Sequence, residues 1–377
     1  MGTVNTCRAY RVIADIRPKT QACADPLHKT MRVLFVTRKY PPRIGGMENF
    51  SFAVTTGYPE PKTIIALGRS QRHLIWFFPY ALARVALTAS RYDVIHLGDP
   101  LLCAAGLVPR LLFKRKVAIT VHGLDLTYQS RLYQLYLKLF LRADAYIAIS
   151  ESTRRLAEAR GLPHVKLITI GVPERYLGLK RAPNADAELN EKRAGRVVLV
   201  TVGRLVRRKG VAWFVRHVLP RLSNALYLVI GTGPDHEEIL RAAEETGTTE
   251  SLWMVGSVSD ERLLALLSAA DVFVMPNIEV PGDVEGFGIV AIEAAASGLP
   301  VVAARLEGIP DAIADGENGC LLPSGDASAF VTAIEELSRN PQQRAESGER
   351  GRAYTAQHNS WPGIISQYAQ LFRSLLS

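Results

Sequence analysis

Val197-Val198-Leu199-Val200-Thr201-Val202 runs without a break into Gly203-Arg204-Leu205-Val206-Arg207-Arg208-Lys209-Gly210. Six apolar or β-branched residues in a row read as a strand covered on both faces, and the two glycines bracket a turn before the apolar helical pattern that starts at Val211. Strand, glycine-bounded turn and helix make half of a βαβ unit, and the chain repeats the pattern. Upstream, short β-branched runs occupy 33–37, 63–67, 94–97, 117–121, 145–149 and 166–170; downstream they occupy 197–202, 226–230, 252–255, 272–275, 301–303 and 320–322. Helical patterns separate them, so the predicted fold class is α/β with two Rossmann-like, doubly wound domains of parallel strands.

The domains follow from composition. Residues 1–30 show neither periodicity nor a signal peptide's apolar core and are expected to be an extension outside the folded protein. The first domain is expected over 31–175, a polar linker over 176–196, the second domain over 197–358 and a terminal helix over 359–377, where Ile364, Ile365, Tyr368, Leu371, Phe372 and Leu375 recur at helical spacing.

A chain of 377 residues with 48% hydrophobic and 21% charged residues excludes disordered, collagenous and disulfide-scaffold classes. The net charge of +9 hides a division: residues 1–180 carry +16 and residues 181–377 carry −7. The basic half points to an anionic partner. Cys7, Cys23, Cys103 and Cys320 form no metal-binding or C-x-x-C spacing, which fits reduced thiols in the cytoplasm. The most apolar stretch, 74–89, contains Pro79 and Arg84 and is shorter than the roughly 20 residues of a membrane span.

In open parallel sheets, ligands meet the loops that follow the strands, and the chemistry-bearing residues sit there. Arg38, Lys39 and Arg43 surround the diglycine Gly45-Gly46 ahead of a helix, a pattern that suits phosphate or a plain turn. His122-Gly123 follows the strand 117–121, with Asp125 behind it. The turn 203–210 places four cations in six residues, a diphosphate clamp or a solvated charge run. Gly231-Thr232-Gly233-Pro234 begins like a dinucleotide fingerprint, but His236 stands where its third glycine belongs, which argues against a nicotinamide cofactor. Glu285-Gly286-Phe287-Gly288-Ile289-Val290-Ala291-Ile292-Glu293 sets a carboxylate in a glycine-rich loop and another one turn into the helix that follows.

These five elements, in this order, resemble the retaining glycosyltransferases of family 4, which have the two-domain GT-B fold; the resemblance covers 31 to the C-terminus. It implies that Arg204 and Lys209 hold the donor diphosphate, helped by backbone amides of Phe287, Gly288, Ile289 and Val290. It further implies that Glu293 binds the ribose, Glu285 the transferred sugar and Val258 with Asp260 the base. His122 would lie by the reacting sugar and Gly46 would approach the phosphates as a cleft between the domains closes. The terminal helix would cross back to the first domain. The implied donor is a UDP- or GDP-sugar, with no separate cofactor. The implied acceptor is a hydroxyl, lipid-linked or phosphorylated, in bacterial glycolipid, lipopolysaccharide or polysaccharide synthesis.

No Asp-x-Asp motif occurs, and fixed cations with a helix N-terminus can stabilise a departing diphosphate, so metal-independent transfer is expected. A sugar-nucleotide epimerase of the same fold is the enzymatic alternative. A nucleic-acid binder fits poorly because the aromatic residues are not interleaved with the cations. Residues 74–80, with Arg69, Arg72, His73 and Arg84 nearby, read either as a core helix or as an amphipathic patch for an anionic membrane, which would make a cytoplasmic protein peripheral to it.

Overall fold

The computed structural model describes residues 30–42, 45–68 and 70–377. The expected extension, except Thr30, lies outside the described residues, as do Cys7, Cys23, Arg43 and Arg69. The described chain divides into two compact units. One runs to Ile149 and adds Thr153–Ile168 and Ile364–Ser377; the other comprises Ser150–Ser152 and Thr169–Gly363.

The first unit is built on six parallel strands, β1 (Val33–Thr37), β2 (Lys62–Ala66), β3 (Val94–Leu97), β4 (Lys116–Val121), β5 (Ala145–Ala148) and β6 (Val165–Leu167), in the order β2-β1-β3-β4-β5-β6. The second has β7 (Val197–Val202), β8 (Ala225–Ile230), β9 (Leu252–Gly256), β10 (Val272–Met275), β11 (Val301–Arg305) and β12 (Cys320–Pro323), in the order β12-β11-β10-β7-β8-β9. All residues of β1 and β8 are buried, as expected for strands with helices on both faces.

Strand order locates the functional ends of the sheets. The order reverses between β1 and β3 in the first unit and between β7 and β10 in the second. The loops after these strands diverge to opposite sides and leave a crevice at their carboxyl ends. Thus the turn after Val202 stands beside the segment after Met275, although 73 positions separate them in sequence.

The polar segment predicted as a linker is structured and belongs to the second unit. Its helices Glu174–Leu177 and Ala187–Arg193 each bury one anchor, Tyr176 and Leu189. Asp186 caps the second by accepting from Leu189 N at 2.9 Å, and its other carboxylate oxygen pairs with Arg262 at 3.0 Å. Two short helices with a single buried residue each show no apolar stripe, hence the linker-like composition.

The terminal helix, Trp361–Ser374, passes to the first unit from Ile364 onward. Ile364, Tyr368 and Phe372 recur every four residues and are fully buried. Phe372 meets the rings of Tyr58 at 5.7 Å and Phe35 at 6.2 Å, while Tyr368 lies edge-on to His96 at 5.8 Å. Burial, with His122 nearby, pushes the His96 imidazole down to about 3, so it packs as a neutral ring bonded to Thr120 Oγ1 at 2.8 Å. Phe372→Ala is expected to destabilise the first unit by about 3–5 kcal/mol, read from denaturant unfolding. The exposed control Leu87→Ala should cost under about 0.5 kcal/mol.

Candidate active site

In the second unit, glycines let the strand-end loops approach closely. Gly210 has φ +67°, and a Cβ there would lie 1.9 Å from the Pro276 carbonyl oxygen. The Gly231-x-Gly233 turn has the same purpose: a Cβ on Gly231 would meet the Gly203 oxygen at 1.9 Å, and one on Gly233 the Leu205 oxygen at 2.1 Å. This pair of glycines therefore seats the cationic turn, which accounts for a G-x-G without a dinucleotide fingerprint.

The turn delivers Lys209 to Glu285. Nζ lies 2.6 Å from Oε2, Asn277 Nδ2 donates to the same oxygen at 3.2 Å, and Arg208 Nε stands 3.6 Å away. Burial of Glu285 would raise its pKa, but the Lys209 charge and hydrogen bond, then Arg208 and Asn277, outweigh it and hold the carboxyl below its ordinary value. Arg208 also binds both oxygens of Asp283, at 3.0 and 3.2 Å. Behind the loop, the Glu285 amide donates to the Glu307 carboxylate, and the Gly308 amide donates to the Glu285 carbonyl at 3.2 Å.

Of the four cations in the turn, Arg208 and Lys209 are neutralised by carboxylates. Arg204 and Arg207 are exposed, and the side chain of neither makes a hydrogen bond or ion pair among the described residues. Arg204 is thus the free charge nearest in sequence to the strand end. Helix Ile289–Ala296 starts from Gly288 at φ +87° with no side-chain cap, so the amides of Ile289 and Val290 belong to an open N-terminus. Phe287 is buried at 2% exposure, so only its backbone can serve a ligand.

Glu293 lies on the same helix. Burial pushes its carboxyl up to about 7; Arg175 and the Tyr176 hydroxyl oppose the rise and Asp260 adds to it. Asp260 is the first residue of helix Asp260–Ala269, exposed and paired with Arg175 at 2.6 Å; Val258 is half-buried just ahead of it. The sequence offers Asp260 for the base position and gives no sign of Arg175 and Tyr176, which sit where the expected first domain meets the expected linker. Asn277 was missed too, although its position two residues past β10 was a signal.

In the first unit, His122 is buried with Nε2 3.0 Å from the Gly98 carbonyl oxygen. A carbonyl only accepts, so Nε2 carries a proton and donates it to this bond. The His122 amide donates to Asp125 at 3.1 Å. Arg38, which the sequence offered as a phosphate ligand, is engaged by Asp99 at 3.0 Å and Gln71 at 3.0 Å across the β1/β3 crevice; Lys39 faces Glu48 at 3.7 Å. Gly46 is exposed and opens helix Gly46–Gly57.

Two doubly wound units, one with an uncapped helix, an unpaired arginine and a Lys–Glu pair in the segments after β7 and β10, define an α/β protein of two Rossmann-like domains. Two family models match it. "Glycosyltransferase Family 4" matches residues 27–175 and "Glycosyl transferases group 1" matches 196–340, together most of the chain. The chain belongs to the family 4 glycosyltransferases of GT-B fold.

A GDP-mannose-dependent alpha-(1-6)-phosphatidylinositol monomannoside mannosyltransferase of Mycolicibacterium smegmatis is 36% identical over 197 residues, which cover 50% of this chain and 51% of that protein. The match thus spans about half the length of this relative. A GDP-mannose-dependent monoacylated alpha-(1-6)-phosphatidylinositol monomannoside mannosyltransferase of Corynebacterium glutamicum is 27% identical over 91% of this chain and 98% of its own length. Among solved structures, Anabaena HepE in complex with UDP superposes with a TM-score of 0.74 at 20% identity, covering 91% of this chain and 100% of that one; this likeness speaks to the fold.

Gly210→Ala introduces a side chain that neither the backbone angle nor Pro276 admits. It is expected to destabilise the second unit by at least about 2 kcal/mol, read by thermal unfolding.

Proposed function

We propose that the chain transfers a hexose from a UDP- or GDP-hexose to a hydroxyl of a lipid-linked or phosphorylated acceptor in glycolipid, lipopolysaccharide or polysaccharide synthesis. The observation that carries this reading is the buried Lys209–Glu285 pair, which joins the turn after β7 to the segment after β10, with an unpaired Arg204 two residues past β7 and the open N-terminus of helix Ile289–Ala296 in the same two segments. A glycosyl phosphate bond breaks only as fast as charge on the departing diphosphate is stabilised, and fixed cations with oriented amides supply that.

In this mechanism Arg204 and Lys209 take the diphosphate with the amides of Ile289 and Val290. Glu293 accepts the ribose hydroxyls, and Glu285, held ionised by Lys209, accepts hydroxyls of the sugar. The Lys209–Glu285 contact then couples the group that grips the leaving phosphate to the group that grips the transferred hexose. Val258 and Asp260 take the base, and His122 and Gly46 keep the roles that the resemblance implies. Transfer proceeds without a metal and with retention, the leaving phosphate receiving the acceptor's proton on the side it leaves. The names of the relatives favour GDP-mannose among donors. A lipid-linked acceptor places the chain at the cytoplasmic face of a membrane as a peripheral protein. Among the described residues no helix is long and apolar enough to cross one.

A donor panel assayed for nucleoside diphosphate release tests the reading; no release with any sugar nucleotide, and no thermal stabilisation by them, would refute it. Arg204→Ala and Lys209→Ala should each lower kcat by about 10²–10³, EDTA should leave the rate unchanged, and the product anomer should match the donor's. Because a carboxylate must be ionised to accept two hydroxyls, donor affinity should rise with pH through about 7, where Glu293 deprotonates. Titration calorimetry from pH 6 to 8 should show that slope in the parent and a flat, weaker profile in Glu293→Gln.

A further inference from the structure

The face of the first unit opposite Phe372 is a helix layer whose outer surface is apolar and cationic at once. Helix Leu74–Thr88 turns Phe77, Ala81 and Val85 into the core and presents Trp76, Tyr80 and Leu87 outward at i, i+4 and i+11; Trp76 is 73% and Leu87 76% exposed. Helix Leu107–Phe113 ends in Leu111 and Leu112, the latter 73% exposed. Helix Arg131–Phe140 buries Leu137 and exposes Leu132, Leu135 and Leu139 at i, i+3 and i+7, with Leu132 at 81%. Helices Leu74–Thr88 and Arg131–Phe140 share one core cluster, and all three helices pack against the turn Pro100–Gly106.

Single exposed leucines are ordinary; exposed large apolar side chains on three helices that share one turn are not. The charge on these segments is equally one-sided. Residues 71–91, 107–116 and 131–142 contain ten Lys or Arg and no Asp or Glu. Lys114, Arg131 and Arg142 are exposed at the ends of the apolar stripes. Long cationic side chains there can keep their charge in a headgroup layer while the stripes enter the acyl boundary.

We propose that this face, formed by helices Leu74–Thr88, Leu107–Phe113 and Arg131–Phe140, docks the chain on an anionic lipid surface. The charge pattern decides between occupants. A second copy would bring the same cations against each other in a self-complementary contact. Anionic headgroups over acyl chains match both components. The proposal deepens the lipid-linked-acceptor reading and rests on it for its purpose, but the binding can be measured without donor or acceptor.

The test is co-sedimentation of the full chain with phosphatidylcholine vesicles and with vesicles containing one-third phosphatidylglycerol. Binding is expected to the second and to fall with salt. Lys114→Glu/Arg131→Glu/Arg142→Glu should weaken it about 100-fold, and Trp76→Glu/Leu112→Glu/Leu135→Glu should abolish it. Both variants should keep the parent's thermal transition and any donor-induced shift in it, which separates loss of this surface from failure of the glycosyl-transfer reading. Failure to bind anionic vesicles, binding that both variants retain, or a concentration-dependent dimer that the apolar variant dissolves would each overturn the proposal.

Discussion

The ion pair between Lys209 and Glu285 sets the terms for the second unit. Both side chains are nearly buried, at 12% and 11% exposure, and their atoms meet at 2.6 Å. Taking either charge out of water alone costs several kcal/mol, so neither loop can hold its conformation without the other. The pair forms only because β7 and β10 are neighbours and because Gly210 lets the turn settle on Pro276. Asn277 donates to the same carboxylate oxygen, Arg208 adds its charge at 3.6 Å, and Glu307 and Gly308 bind the Glu285 backbone. Sheet order, glycine placement and the paired charges are one arrangement, and the uncapped helix at Ile289 starts where it leaves off.

The two glutamates of the motif work in opposite electrostatic conditions. Glu285 is held ionised by adjacent cations despite burial, whereas burial prevails at Glu293 and brings its titration to about 7. The same residue type eight positions apart is thus ionised by its neighbours at one end and proton-sensitive at the other. The −7 charge of residues 181–377 sharpens the requirement. In an acidic unit a phosphate is repelled from most of the surface, so its stabilisation must come from a few local charges. In the proposed mechanism these are Arg204, unpaired among the described residues, and Lys209, which Glu285 fixes in place.

Periodicity made the strands legible, since a run buried on both faces can hardly be read otherwise, and all twelve lie where the β-branched runs are. The motif residues of the second unit were legible for a related reason: strand-end position is visible in sequence. What sequence could not show is which strand ends adjoin. Asn277 and Arg208 join Glu285 through the β7/β10 adjacency, and Asp99 claims Arg38 through the β1/β3 adjacency. Cations counted as phosphate ligands from their spacing are therefore divided by the fold into paired and free. Arg175 and Tyr176 were hidden for another reason, because a four-residue helix with one buried ring leaves no periodic trace.

Helix Leu74–Thr88 carries an inward and an outward apolar stripe on one segment. Its sequence is apolar on every side, which is consistent with a core helix or a surface-seeking one. The fold gives it both faces: Phe77, Ala81 and Val85 supply the core and Trp76, Tyr80 and Leu87 are left in water. An inward stripe alone would account for the helix and would tolerate polar residues outside. The outward stripe burdens the free protein with exposed apolar surface and returns nothing to folding, so its account must be sought in association. The excess positive charge of the first half of the chain gathers on this and the two neighbouring helix segments with no acidic residue among them. Apolar exposure and charge of one sign on these helices are the two features that the proposed lipid surface, apolar beneath and anionic above, would match together.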